Sequence, residues 1–303
     1  MPDSAMLAFL AAPFVASLIL TGIHAYLGVH VVERGVIFVD LSLAQIAALG
    51  ATIAILMPIT NGDPHAPVVY WISLVFTFIG ALIFSIFRMK DSRIPQEAII
   101  GICYAVASAA AILAMSKATS ESEHLKDMLV GNILAVSWQE VGKTAALYGA
   151  IGLFHYMFRR RFLAISIDPD KAEAEGVSIR LWDFLFYASF GFVVTSSVAI
   201  AGVLLVFCYL IVPSVAAMMY AHNIGPRLAI GWTMGTIVSA LGVWLSLVLD
   251  LPTGATIVCT FGIVLGLMAA VRPLVLRVPA HVSRDQHAAV GEERALRRER
   301  LGH

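Results

Sequence analysis

The chain has 303 residues, is 59% hydrophobic and only 13% charged, and carries a formal net charge of zero. Soluble domains carry roughly 25% charged residues, so this composition excludes a globular protein with a polar surface. A zero net charge provides no basic field, which argues against a nucleic-acid partner. Cys103, Cys208 and Cys259 each lie alone in an apolar run, so they indicate neither a zinc site nor a redox pair.

Apolar runs long enough to cross a bilayer follow one another along most of the chain. We predict an all-α, polytopic transmembrane helical bundle with about nine spans, eight or ten being the alternatives. The expected spans are residues 6–29, 35–57, 67–87, 97–116, 139–158, 181–199, 201–220, 227–249 and 254–271. Residues 1–278 would form one transmembrane domain. Residues 279–303 lack apolar periodicity and are expected to form a solvated, disordered cytoplasmic tail, whereas the spans contact membrane lipid.

Basic residues between the spans predict the orientation, because cytoplasmic loops are enriched in Lys and Arg. The loops at 61–67 and 250–254 contain neither residue and are expected outside. This places the N-terminus outside and the C-terminus inside. The basic positions that define the cytoplasmic side are Arg88, Lys90, Arg93, Arg159, Arg160, Arg161, Arg272 and Arg277.

The chain has no motif for hydrolytic or nucleotide chemistry. The string Gly142-Lys143-Thr144 resembles the end of a P-loop, but Ser137 stands where the first glycine of that motif should be. We therefore expect a transport subunit that is not an enzyme and binds no cofactor of its own. Such a subunit must obtain its energy from elsewhere.

A polar segment at residues 165–180 follows the arginine cluster and is therefore expected in the cytoplasm. Asp168 and Asp170 flank a proline and favour a helix start, and Gly176 favours a helix end. Glu173 and Glu175 lie between them among other helix formers. The pattern predicts a short surface helix, either a simple connection or a docking element for a partner.

Three polar residues inside predicted spans are candidates for a substrate pathway: His24, Asp40 and Gln45. An ionised Asp near mid-bilayer costs about 2.5–3.5 kcal/mol, so such residues usually face a pore or a partner. Asp40 faces a pathway or pairs with Arg34 near the interface. His24 is a structural histidine or joins Asp40 in a metal site with nitrogen and oxygen ligands. Gln45 contacts an ion or forms an interhelical hydrogen bond.

Two smaller features have local interpretations. Glu97 fits a helix N-terminal acid that the helix dipole favours, with a functional carboxylate as the alternative. Two G-x-x-x-G strings, at Gly231 with Gly235 and at Gly262 with Gly266, predict close helix packing. Packing within the chain is favoured over a subunit interface.

Several segments resemble the membrane permeases of the bacterial metal-ion ABC importers. The sequence GVHVVERGVIFVDLSLAQIAALGA resembles the family's signature in the first loop and second span, and IDPDKAEAEGV resembles its coupling segment. The matching segments lie at 28–51, 129–141, 167–177, 201–219 and 250–258. Together they cover most of the membrane portion in the family's order.

The resemblance implies a multi-pass protein that lies in the bacterial cytoplasmic (inner) membrane and imports zinc, manganese or iron. It implies a separate cytoplasmic ATPase, an extracytoplasmic metal-binding protein and a second permease subunit, identical or not. Coupling to the ATPase would then involve Asp168, Asp170, Glu173, Glu175 and Gly176. The transported divalent ion would be the only metal, with His24 and Asp40 as its candidate ligands.

The chain departs from the family in the second span. Many members carry an Asp and a His four residues apart, on one helix face. Leu41 and Gln45 occupy these positions here, and Asp40 points about 140° away from Gln45. A permease for another small solute or a metal chelate therefore remains an alternative. A secondary transporter driven by an ion gradient is another, although Asp40 and Asp183 are the few intramembrane carboxylates it could use.

Overall fold

The computed structural model describes residues 4–60, 63, 66–87, 95–115 and 133–275, and within them the chain is helical without strands. This confirms the predicted all-α class. The helices are α1 (Ser4–Glu33), α2 (Val39–Ile55), α3 (Pro67–Ile86), α4 (Gln96–Met115), α5 (Trp138–Met157), α6 (Arg159–Ile167), α7 (Pro169–Ala174), α8 (Ile179–Ala201), α9 (Val203–Tyr220), α10 (Ile224–Leu249) and α11 (Thr253–Val275). Single turns of 3-10 helix lie at Pro58–Thr60 and Ile133–Ala135.

Seven of the described helices, α1, α3, α4, α8, α9, α10 and α11, are long and apolar enough to cross a membrane. The chain is therefore a multi-pass membrane protein. The remaining two predicted spans coincide with α2, which has only 17 residues, and α5, which carries Glu140 and Lys143 in its first two turns. Every predicted span thus has a helix, but nine membrane crossings are not confirmed.

The long helices pack in two groups. In the α2 group, α2 packs on α3 and α4, and α3 packs on α8. In the α1 group, α1 packs on α9 and α10, and both of these pack on α11. Helix α5 contacts α1 and α8 and so bridges the two groups.

Glycines allow the closest contacts inside the α1 group. A Cβ atom at Gly28 of α1 would lie 2.0 Å from the carbonyl oxygen of Leu210 in α9. One at Gly235 of α10 would lie 2.4 Å from Cγ2 of Thr21 in α1. Packing within the chain, as predicted for the first G-x-x-x-G string, is confirmed. At Gly262, by contrast, no described residue of another helix lies within 4 Å of a Cβ.

The predicted boundary between the spans 181–199 and 201–220 is a tight turn between two helices. Helix α8 ends at Ala201 and α9 begins at Val203. Gly202 between them has a φ of 75°, in the left-handed region that a side chain disfavours. Its N–H donates to the carbonyl oxygen of Val198 at 2.9 Å. One glycine thus separates two membrane-crossing helices.

Several helix ends meet at one face of the bundle. The hydroxyl of Ser85, at the end of α3, donates to the carbonyl oxygen of Arg180 at the start of α8, at 2.7 Å. The backbone N–H of Phe38, before α2, donates to Oε1 of Glu97 at the start of α4, at 3.0 Å. Glu97 thus caps a neighbouring helix in addition to starting its own. The short helices α6 and α7 connect α5 to α8 at this face, which is the predicted cytoplasmic face.

Some predictions fall outside the described residues. They are the basic loop with Arg88, Lys90 and Arg93, the part of the segment at 129–141 that precedes Ile133, Arg277, and the tail at 279–303.

Candidate functional site

Asp40 is a buried carboxylate without a partner in the described part of the chain. It is the second residue of α2 and is 1% exposed. Neither of its oxygen atoms accepts a hydrogen bond there. Arg34, the expected cation near Asp40, instead binds Asp183, so the predicted Asp40–Arg34 pair does not form. Since buried charges are normally paired or bind a metal, Asp40 has the properties of a group that receives a cation.

His24 presents a free ring nitrogen in the middle of the bundle. It lies fully buried in α1, with Nδ1 2.8 Å from the carbonyl oxygen of Leu20. Because a carbonyl only accepts, the proton of the neutral ring lies on Nδ1 and leaves a lone pair on Nε2. Within the described residues, Nε2 has no hydrogen-bond partner. This is the form in which histidine binds a metal.

The three candidate pathway residues lie at different depths from the predicted cytoplasmic face. At about 1.5 Å per residue, His24 lies roughly 13 Å from the end of α1 at Glu33, and Asp40 within roughly 2 Å of the start of α2. Half-buried Gln45 lies between them, roughly 9 Å along α2. The sequence prediction ended the first span at residue 29, and α1 continues to Glu33, which places His24 deeper than expected.

This arrangement is a series of single polar groups rather than a closed cage. No hydrogen bond joins His24 to Asp40, and no three His, Cys, Asp or Glu side chains in the described ranges could hold one ion together. Conduction requires binding that is weak and divided among sites. The described residues therefore contain no group of side chains that would hold an ion tightly.

A buried polar network that the sequence did not predict lies beside these residues. Arg34 Nη1 lies 2.8 Å from Asp183 Oδ1, and the two side chains are 2% and 0% exposed. Arg34 Nε donates to Ser166 Oγ at 2.9 Å, and His30 Nδ1 lies 2.9 Å from the same oxygen. The guanidinium carbon of Arg34 lies 4.0 Å from the ring centre of Phe186. The network joins α1, α6 and α8.

A second buried histidine lies next to this network. His155 Nε2 on α5 lies 2.8 Å from Ser189 Oγ on α8. Its ring stacks on Phe162 with a centroid distance of 4.3 Å, and the Tyr26 ring lies edge-on at 5.5 Å. His155 thus packs α5 against α8 with an aromatic cluster around it. A lone histidine at the end of an apolar run was the only sequence signal for this cluster.

The predicted cytoplasmic helix is present with both of its predicted ends. Asp168 Oδ1 accepts a hydrogen bond from the Lys171 N–H at 3.0 Å and caps α7. At the other end Gly176 has a φ of 82°. Its N–H donates to Glu173 O, and the Val177 N–H donates to Ala172 O, each at 2.9 Å. These two bonds form a Schellman motif, so Gly176 ends the helix in the left-handed conformation.

The acidic side chains of this segment point away from the bundle. Its inner side is held by a small apolar cluster of Ile165, Ala172 and Val177. Its outer side exposes Asp168, Asp170, Glu173 and Glu175. The segment is therefore a capped helix, fixed to the bundle by one face and acidic on the other.

Comparison with known proteins supplies the family. Residues 6–272 match the model of the ABC 3 transport family. The chain is 28% identical over 202 residues to the manganese transport system membrane protein MntC of Listeria innocua, covering 64% of this chain and 71% of that protein. It is 24% identical over 202 residues to the chelated iron transport system membrane protein YfeD of Yersinia pestis, covering 64% and 67%.

A solved structure shares the fold. PsaBC from Streptococcus pneumoniae, determined in complex with Fab, superimposes with a TM-score of 0.71. The identity is 23%, and the match covers 86% of this chain and 90% of that chain. The helical architecture described above is therefore one that a solved protein adopts.

Proposed function

This chain belongs to the ABC 3 transport family and is a multi-pass transport subunit of the inner membrane, and we propose that it is the permease through which an ABC importer moves a divalent metal ion. Manganese is the first candidate, because the relative MntC is named for manganese transport. Iron and zinc are the competing ions.

The observation that carries this proposal is the buried, unpartnered Asp40 carboxylate. An ionised carboxylate inside a membrane protein is costly unless something compensates it, and a passing cation would do so. Deeper in the bundle, His24 Nε2 offers nitrogen to the same ion. Carboxylate oxygen and imidazole nitrogen both suit first-row divalent metals.

The energy source is proposed to be a separate cytoplasmic ATPase, because the sequence contains no P-loop. Its docking site would include the capped helix from Asp168 to Gly176. The exposed acidic side chains there favour a partner whose facing surface is basic. An extracytoplasmic metal-binding protein and a second permease subunit, identical or not, would complete the transporter.

The test is uptake by the complete transporter in liposomes. The permease is reconstituted with its ATPase and supplied with the binding protein and radioactive Mn²⁺ outside. We expect uptake that requires ATP inside the liposomes, where the ATPase of an import-oriented complex lies, and that stops with an ATPase variant unable to hydrolyse ATP. Competition with Zn²⁺ and Fe²⁺ ranks the ions. A complex that hydrolyses ATP and takes up none of the three contradicts the proposal.

A metal chelate is the second candidate cargo, and one specific feature favours it. Leu41 and Gln45 stand where many permeases of the family that the sequence resembles carry an Asp and a His. The relative YfeD is named for chelated iron. The same liposomes supplied with a chelated iron complex decide between the two cargoes. Uptake driven by an imposed proton gradient without ATP would instead support a secondary transporter.

A further inference from the structure

We infer that Ser166 is a positioning residue that fastens the coupling segment to the cytoplasmic end of α1, so that an ATPase moves α1 and α8 together. The coupling segment is defined here as α6 and α7 with the Gly176 turn. The inference rests on the proposed function, since it assumes that a partner pushes this segment. It adds a residue that neither the family signature nor the pathway includes.

The hydroxyl of Ser166 uses its full hydrogen-bonding capacity. Ser166 is 4% exposed in the last turn of α6. Its own proton goes to the carbonyl oxygen of Phe162 at 2.8 Å. Its oxygen accepts from Arg34 Nε at 2.9 Å and faces His30 Nδ1 at 2.9 Å. A hydroxyl has one donor and two acceptor sites, so His30 carries its proton on Nδ1.

Arg34 extends this connection to α8. While Nε binds Ser166, Nη1 binds Asp183 Oδ1 at 2.8 Å. One planar guanidinium therefore holds the end of α6 and the start of α8 in a fixed relation, which Lys could not do because its charge is a single point. Displacement of α6 would move both α1 and α8.

The preceding residue extends the connection to the other helix group. Glu33, next to Arg34 in α1, forms an ion pair with Arg227 in α10. Two consecutive residues thus tie the end of α1 to α8 in the α2 group and to α10 in the α1 group. A push on the coupling segment reaches both groups through this one helix end.

The structure offers a matched control in Ser189. Its hydroxyl also pairs with a buried histidine, His155, at 2.8 Å and also donates to a carbonyl of its own helix, that of Phe186, at 2.9 Å. The hydrogen bonds of Ser189 join α8 to α5, and its partner His155 reaches the coupling segment only by stacking on Phe162. Ser166→Ala and Ser189→Ala therefore each remove a buried Ser–His contact, and only the first one removes hydrogen bonds between α6 and the end of α1.

The first readout is the number of ATP molecules hydrolysed per Mn²⁺ transported by the reconstituted complex. We expect Ser166→Ala to raise this ratio between about 2- and 30-fold, the range for residues that carry coupling. Ser189→Ala should leave it unchanged, and Ser166→Thr, which keeps the hydroxyl, should restore it. Thermal unfolding midpoints are measured for all three. Equal ratios in the two alanine variants mean that Ser166 is only structural and overturn the inference.

The second readout needs no cargo and so separates the inference from the proposed function. Spin labels are placed at two exposed positions, Ala174 on α7 and Phe38 after α1, in a complex without native cysteines. ATP should leave their distance unchanged with Ser166 and shift it by several ångströms in Ser166→Ala. An unchanged distance in both forms overturns the inference. A wild-type complex that transports no metal contradicts the proposed function alone.

Discussion

Arg34, directly after α1, and Asp183 on α8 form a buried ion pair, with Nη1 2.8 Å from Oδ1. Arg34 is close to Asp40 in sequence. Because Arg34 is bound to Asp183, it does not neutralise Asp40. The two carboxylates therefore differ in role. Asp183 holds helices together, and Asp40 is left available.

The ion pair predicts a large loss of stability when one partner is removed. Arg34→Met leaves the Asp183 carboxylate buried and should lower the free energy of unfolding by about 3–5 kcal/mol. Replacing both residues by apolar ones of similar size should recover most of this loss. The control is Glu33→Gln, since the Glu33–Arg227 pair is 26% and 11% exposed and its loss should cost less than that of the fully buried pair. Denaturation in detergent measures all three, and equal losses would contradict the assignment.

Close packing at Gly28 predicts that a larger residue there disrupts the α1–α9 contact. A valine Cβ would lie 2.0 Å from a backbone oxygen of Leu210, which cannot move away as a flexible side chain would. Gly28→Val should lower the yield of folded protein severely. Gly262→Val is the control, because no residue of another helix in the described part of the chain lies within 4 Å of its Cβ. Size-exclusion profiles in detergent measure the outcome, and similar profiles for the two variants would show that α1 and α9 are not packed this closely.

The predicted orientation implies opposite signals from reporter fusions on the two sides of the membrane. Fusions after Arg161 and after Arg277 should report the cytoplasm, and a fusion at Asp63 should report the outside. Asp63 follows α2 and lies opposite the face where the start of α2 contacts Glu97. A cytoplasmic signal at Asp63 would reverse the assigned orientation.

The helices could be predicted because apolar length is a local property that the chain displays residue by residue. The short helix α7 could be predicted as well, since Asp168 and Gly176 act on backbone groups only a few residues away. The boundary at Gly202 was harder, because one residue with a positive φ makes the whole turn. No loop composition marks it.

The buried network could not be predicted, because its partners are far apart in sequence. Arg34 and Asp183 are separated by 149 positions, and His30 and Ser166 by 136. Proximity in sequence favoured Arg34 as the partner of Asp40, and tertiary packing decided otherwise. The same limit applies to the expected pairing of His24 with Asp40, since the length of α1 determines their relative depth.

The left-handed Gly176 predicts a specific ranking of substitutions in the coupling segment. Gly176→Val should strain the cap by about 1–2 kcal/mol, whereas Asn tolerates this conformation and should have a small effect. We expect Gly176→Val to leave the subunit inserted but to lower uptake per ATP hydrolysed. Glu173 and Glu175 both lie on the exposed side. Reversing their charges should lower the affinity for the ATPase and make binding depend less on salt concentration. ATPase activity and uptake are measured on the same complex.

If the Gly176→Val and Gly176→Asn variants take up the same amount of metal per ATP hydrolysed, the cap does not transmit movement. If both charge-reversal variants bind the ATPase normally, the docking surface lies elsewhere, and the loop that contains Arg88 and Arg93 is the next candidate. Asp168→Ala supplies an intermediate case, since it removes the N-terminal cap and keeps Gly176.

The unpartnered state of Asp40 predicts opposite effects on stability and transport. Asp40→Asn removes a buried charge that has no partner in the described residues, so the free energy of unfolding should stay the same or rise by up to about 2 kcal/mol. Transport should fall at least about tenfold, because a loss of roughly 1.4 kcal/mol of ion binding in the pathway corresponds to that factor. Gln45→Ala and His24→Ala should also reduce Mn²⁺ uptake at wild-type abundance. Asp183→Asn is the matched control: it removes a buried carboxylate that is paired, so it should lower stability first. Uptake and denaturation are measured on each variant, and normal transport by all three pathway variants would place the pathway away from α1 and α2.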